Sequence, residues 1–173
     1  MLVRIKRLVK HRWLGPSASH RAITPDMLKR LQQQIAASEQ RHSGEIRIYV
    51  EASLPLSYLW HKAPMRQVIR QRALTLFGKL RVWDTAHNSG VLIYLMLAER
   101  AIEVVADRGL NERVDPTVWQ VMVSGMSAAF KDGHFEQGLT QALEQVSALL
   151  VQHFPLVAGD ANPNELPDAP ILS

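Results

Sequence analysis

The unbroken apolar run Val91–Ala98 constrains the fold more than any other feature of the chain. A strand with one wet face alternates apolar and polar residues, whereas a strand apolar throughout must be covered on both sides. The run is far short of the ~20 residues a helix needs to cross a bilayer, so it reads as a buried strand over Gly90–Leu97. A short link, Ala98-Glu99-Arg100, leads to Ala101–Ala106, and the two segments predict a hairpin. Glu103 makes the second strand the less enclosed one.

Helices supply the cover. Thr24 offers a capping hydroxyl, Pro25 suits a first helical position, and Asp26 favours the positive end of the helix dipole. Leu28, Leu31 and Ile35 continue at helical spacing, and Gly44 is expected to close that helix in the left-handed conformation. Ile46, Ile48 and Val50 alternate with Arg47, Tyr49 and Glu51, the period of a half-covered strand. A second helix runs from Pro64 to a cap at Gly78, with Val68, Ile69, Ala73, Leu76 and Phe77 on its apolar stripe and Arg66, Arg70 and Arg72 elsewhere. A third follows Asp115 and Pro116 through Trp119, Met122, Met126 and Phe130 to Gly133. The last runs from Phe135 through Leu139, Leu143, Val146 and Leu150. This order of elements predicts a three-layer α/β/α sandwich around a small mixed β-sheet. A right-handed crossover makes the first two strands parallel, and the hairpin returns the third antiparallel.

The chain divides into a basic arm (1–23), an α/β domain (24–154) and a proline-rich extended tail (155–173). Net charge is +4, yet Arg4, Lys6, Arg7, Lys10 and Arg12 alone carry +5, so the rest of the chain sums to −1. The basicity belongs to the arm, which removes the main support for nucleic-acid binding by the domain. Leu2, Val3, Ile5, Leu8, Val9, Trp13 and Leu14 are interleaved with those charges. The arm therefore has two readings: it covers apolar surface of its own domain, or it lies on a protein or anionic membrane partner. It lacks the long apolar stretch and cleavage site of a secretory signal.

Several chemistries are excluded. Without cysteine there are no disulfides, thiolate metal sites or cysteine nucleophiles. HExxH, GxSxG, P-loop and GxGxxG patterns are missing, which argues against zinc peptidase, serine hydrolase, nucleotide hydrolase and dinucleotide enzyme readings. The histidines are scattered, as surface or capping residues would be. What remains is an oxygen-rich set. The start of the first strand near Glu45, the start of the second near Asn88 and the end of the third near Asp107 are expected to meet at one rim. Asp84, Asn88, Asp107 and Asp115, with Ser89 and Glu112 nearby, then offer the hard oxygen ligands that calcium prefers, ahead of magnesium or manganese. Alternatively, the same residues serve as turn formers and helix caps.

The run Phe77-Gly78-Lys79-Leu80-Arg81-Val82-Trp83-Asp84, then Asn88-Ser89-Gly90-Val91-Leu92-Ile93, Ala106-Asp107-Arg108-Gly109-Leu110 and Phe135-Glu136-Gln137-Gly138-Leu139, resembles the TPM domain family, often called TPM phosphatases. The resemblance spans roughly Pro25 to Phe154. It implies an α/β/α sandwich and phosphate-ester hydrolysis assisted by a divalent ion, usually calcium. Many relatives carry a signal peptide, a membrane helix and a Gly-rich tail; this chain looks like a short cytoplasmic form, with a place at the inner membrane surface if the arm docks there. Where relatives often have an acidic residue before the first helix, this chain reads His20-Arg21-Ala22-Ile23. On the enzyme reading Asp84, Asn88, Asp107 and Asp115 hold the ion while Arg81 or Arg108 pairs with phosphate oxygens. The competing reading is a non-catalytic interaction domain.

Overall fold

Every residue of strand β2 (Val91–Met96) is fully shielded from solvent, and its side chains divide alternately between two apolar cores. Val91, Ile93 and Leu95 enter one, while Leu92, Tyr94 and Met96 enter the other. The computed structural model describes residues 8, 10–12, 14, 17–156 and 163–173. In chain order the other described elements of residues 17–173 are α1 (Ser17–Ala22), α2 (Pro25–Glu39), β1 (Ile46–Glu51), α3 (Leu56–Leu59), α4 (Met65–Lys79), a 3-10 turn at Leu97–Glu99, β3 (Ala101–Ala106), α5 (Arg108–Asn111), α6 (Pro116–Lys131), α7 (Phe135–His153) and β4 (Ile171–Leu172).

The sheet order is β3-β2-β1-β4. β1 runs parallel to β2 with Ile46 opposite Val91, and β3 runs antiparallel to β2 with Ala106 opposite the same residue. Residues of α2, α6 and α7 fill the first core, with Met27, Leu31, Ile35, Met126, Phe130, Leu143, Val146 and Leu150 against Ile46, Ile48 and Val50. Residues of α4 fill the second, with Val68, Ile69, Ala73 and Leu76 against β2. The mixed α/β fold with helices on both faces is therefore the one expected from the apolar run.

Thr24 caps α2 as expected, its hydroxyl accepting from the Met27 amide at 3.3 Å. Gly133 has the positive φ of a helix-ending glycine, 84°. The other two proposed caps need correction. α2 ends at Glu39, and Gly44 serves instead as a close approach: a Cβ there would stand 2.4 Å from Leu150 Cδ2. Gly78 lies inside α4, and the left-handed residue beyond that helix is Arg81, with φ 53°.

At the chain ends, Leu8 and Leu14 pack against the second core. His11 is buried, its Nδ1 accepting from the Leu54 amide at 3.1 Å. The described part of the arm thus covers the domain. Arg4, Lys6, Arg7 and Trp13 lie outside the described residues, as do residues 157–162 of the tail. From Pro163 the chain is extended, then adds β4 beside β1 in parallel, with Ile171 opposite Tyr49. No helix among the described residues is long and apolar enough to cross a membrane.

One polar cluster is built into the second core. Glu51 ends β1 buried, and both its oxygens accept from Arg72, at 2.6 Å from Nη2 and 3.0 Å from Nε. The Tyr94 hydroxyl donates to the same carboxylate at 2.6 Å. Burial, then the Glu51 charge, hold the Tyr94 phenol well above its ordinary range. Burial alone would lower the Arg72 value, but its bonds to Glu51 outweigh that effect and raise it. Arg72, expected away from the apolar stripe, is in fact buried because this partner meets it. Removing one member of a buried pair leaves an uncompensated charge, which costs roughly 3–5 kcal/mol. Glu51→Ala is therefore expected to lower unfolding stability in urea by about 3 kcal/mol or more, while leaving the secondary structure seen by circular dichroism intact.

Candidate functional site: the oxygen-lined rim of the sheet

Three glycine-dependent approaches bring the rim together. A Cβ on Gly90 would lie 1.8 Å from the Val82 carbonyl oxygen, and one on Gly109 would lie 2.5 Å from that of His87. The third is Gly44, already packed on Leu150. With these contacts closed, the Gly109 amide donates to the Asn88 carbonyl at 3.0 Å and the Asp107 amide to the Gly90 carbonyl at 2.8 Å. Asn88 itself adopts a left-handed φ of 51°, which asparagine tolerates better than most residues. Ser89 is buried, its hydroxyl 3.3 Å from the Ser43 carbonyl, so the starts of β1 and β2 are tied together at the same place.

Asn88 and Asp107, expected to share one rim, do so. Arg108 joins them, its Nε donating to Asn88 Oδ1 at 3.2 Å. Asp107 Oδ1 accepts from the Arg108 amide at 2.7 Å and caps α5. Its second oxygen, Oδ2, is buried and accepts no hydrogen bond. A shielded carboxylate oxygen without a donor carries a desolvation cost that a cation relieves.

The other proposed ligands have separate engagements. Asp84 is exposed and pairs with Arg81, which also sits 5.8 Å from the centre of the Trp83 ring. Asp115 caps α6, its Oδ1 accepting from the Thr117 amide at 2.7 Å and the Thr117 hydroxyl at 2.6 Å. Those bonds, the hydroxyl first, lower its pKa. Among the described residues no group of three or more His, Cys, Asp or Glu side chains is arranged to hold a metal. The oxygen donors gathered at the rim are thus the carboxylates of Asp107, Glu45 and Glu165, the Asn88 side chain and loop carbonyls; Glu45 and Glu165 already accept backbone amides, whereas Asp107 keeps one oxygen without a donor.

Sequence reasoning missed the strap that crosses this rim. Buried Glu45 accepts the Glu165 and Leu166 amides at 3.2 and 3.1 Å. The Glu165 carboxylate in turn accepts the Ala86 amide, at 3.1 and 3.2 Å, in the loop that carries Asp84 and Asn88. Burial raises the Glu45 pKa against these two amide bonds. The missed signal is a carboxylate at Glu45, just before a buried strand, matched by amides in a segment whose prolines mark it as extended. Along the β3 edge of the sheet lies a cavity of about 670 Å³ between α4 and α6, lined in part by Arg66, Arg70, Glu103, Asn111 and Trp119.

Beneath the rim, two further groups titrate abnormally. Burial raises Glu39 to about 8, although one oxygen accepts the Ile46 amide at 3.0 Å. Burial likewise lowers His42 to about 4; its ring nitrogens lie 3.0 Å from the Gly44 carbonyl and 2.7 Å from the Ser38 hydroxyl. His42 and His11 are therefore structural core residues, neither surface groups nor members of a metal cluster.

The TPM domain model matches residues 18–149 of the chain. The NMR structure of the BA42 protein from the psychrophilic bacterium Bizionia argentinensis superposes with a TM-score of 0.72 at 26% identity, covering 86% of this chain and 94% of that one. No curated protein matches the chain in sequence.

The pH dependence of stability follows from Glu39 and His42. The folded state keeps Glu39 protonated up to about pH 8 while the unfolded chain ionises near 4.5, so this group's contribution falls as pH rises between those values. The folded state keeps His42 neutral down to about pH 4, so its contribution is lost as pH falls from 6.5 towards 4. The two oppose each other below pH 6.5; of the two only Glu39 acts above it, and Glu45, also raised by burial, works in the same direction as Glu39. Stability is expected to fall by on the order of 1 kcal/mol per pH unit between pH 6.5 and 8. Urea melts of Glu39→Gln over that range should show most of the slope removed.

Proposed function

The chain belongs to the TPM domain family, and on that premise we propose that its rim binds a divalent cation, calcium ahead of magnesium or manganese, and acts on phosphate esters. The single observation that carries this reading is the buried, unbonded Asp107 Oδ2 beside Asn88. Asp107 supplies the charge, and Asn88 and the loop carbonyls supply neutral oxygens. Asp84 and Asp115 join only by giving up Arg81 and the α6 cap. When bound, the cation would offset phosphoryl charge and make a bound water more acidic.

The chain's own residues set what else happens there. Arg108 is exposed, and its guanidinium already holds the Asn88 side chain; the same planar donor set matches two phosphate oxygens. Arg81 is exposed beside Asp84 and offers a second cation. The Glu165 strap keeps the loop bearing Asp84 and Asn88 in place through the Ala86 amide.

A second reading is favoured by the arm. Lys10 and Arg12 are exposed on either side of the pinned His11. In this reading the domain is a non-catalytic module, cytoplasmic, whose basic arm docks on a protein or on the inner membrane surface.

Calorimetric titration separates the two. The wild-type chain is expected to bind calcium with one site per molecule and to hydrolyse an aryl phosphate only with the ion present. Asp107→Asn, which keeps an oxygen to cap α5, is expected to weaken calcium binding by about ten-fold or more, the scale of one lost charged ligand. Absence of heat with calcium, magnesium and manganese removes the ion-dependent reading; binding without hydrolysis leaves an ion-binding module.

A further inference from the structure

The end of the sheet opposite the rim carries a different surface. There α3 and the residue that closes it expose two large apolar side chains, Leu56 at 64% and Trp60 at 62%. They stand four positions apart and so share one face of the turn. The opposite face is anchored: Leu59 is buried, and the Tyr58 hydroxyl donates to Thr75 Oγ1 at 2.9 Å. The turn is therefore held rigidly with its apolar pair pointing outward.

The charge around that pair is basic. Lys62 follows Trp60 by two residues and is exposed. His11 accepts the amide of Leu54, two residues before Leu56, which places exposed Lys10 and Arg12 beside the turn. Exposed Arg100 lies in the hairpin link at the same end of the sheet. The acidic residues described there are Glu99, paired with Lys10 at 2.9 Å and His11 at 3.1 Å, and buried Glu51, held by Arg72. Arg4, Lys6 and Arg7 add further positive charge in sequence.

A rigid Leu and Trp pair ringed by lysine and arginine is the composition of a surface that enters the headgroup region of an anionic bilayer. We infer that Leu56 and Trp60 insert into an anionic lipid surface, with Lys10, Arg12 and Lys62 held at the headgroups. β1 spans about 20 Å between this end and the oxygen-lined rim, so docking leaves the rim facing solvent. The inference deepens the arm-docking reading by naming the lipid surface and the residues that enter it, and it is independent of ion binding.

Co-sedimentation with vesicles tests it in the full chain. With 70:30 phosphatidylcholine to phosphatidylglycerol, wild type is expected to bind at least about ten-fold more tightly than with phosphatidylcholine alone, and less tightly as salt rises. Leu56→Ser/Trp60→Ser is expected to weaken binding by about ten-fold or more. Made in a Trp13→Phe background, Trp60→Phe keeps an apolar side chain at the site, so it should retain binding while losing most of the tryptophan quenching by brominated lipid. Retained binding by the double variant, with loss in Arg4→Gln/Lys6→Gln/Arg7→Gln, overturns the insertion and leaves the arm reading standing. Failure of wild type to bind anionic vesicles overturns both.

Discussion

A strand without a polar position cannot lie at a surface, and the rest of this molecule is arranged around that constraint. β2 must be covered twice, so α2, α6 and α7 occupy one face while α4 occupies the other. Burial of β2 also sets its neighbours, because β1 and β3 satisfy its backbone on either side. The alternate division of its side chains between two cores makes a one-residue slip in register unfavourable. Fixed register is what brings Ile46, Val91 and Ala106 level, and with them the loops on which the candidate site is built.

The two ends of the sheet differ in chemistry because the chain's charge is segregated. Glu45, Asp107 and Glu165 gather where β1 and β2 begin and β3 ends. Lys10 and Arg12, with Lys62, lie at the other end. Close approach at the rim depends on glycine: Gly90 and Gly109 let backbone meet backbone where any side chain would clash. The result is a carboxylate with one oxygen engaged in capping and the other buried without a donor. The far end has the opposite character, with apolar side chains exposed and positive charge around them.

Much of this is legible in the residues, and the failures have identifiable causes. Periodicity and capping chemistry located α2, α4, α6, α7 and the first three strands, because each buries a stripe of its own. Convergence of Asn88 and Asp107 followed from parallel and antiparallel pairing alone. α5 and β4 were missed since four and two residues carry no period. Arg72 was placed outside the core because its partner, Glu51, lies on a different element. Asp84 and Asp115 illustrate a different limit: oxygen-bearing residues near a rim also cap helices and pair with neighbouring arginines, and sequence spacing does not distinguish those uses. Glu45 and the strap could be matched only after the fold had brought residues far apart in the chain together.

Paramagnetic relaxation by manganese tests the rim most directly, since Mn²⁺ substitutes for other hard divalent ions and broadens amide resonances in its vicinity. Added at substoichiometric amounts to the isotopically labelled chain, it is expected to broaden the amides of Asn88, Arg108 and Gly109 before any others. Broadening that begins elsewhere, or spreads evenly over the acidic residues of the surface, would contradict the placement of the ion beside Asp107.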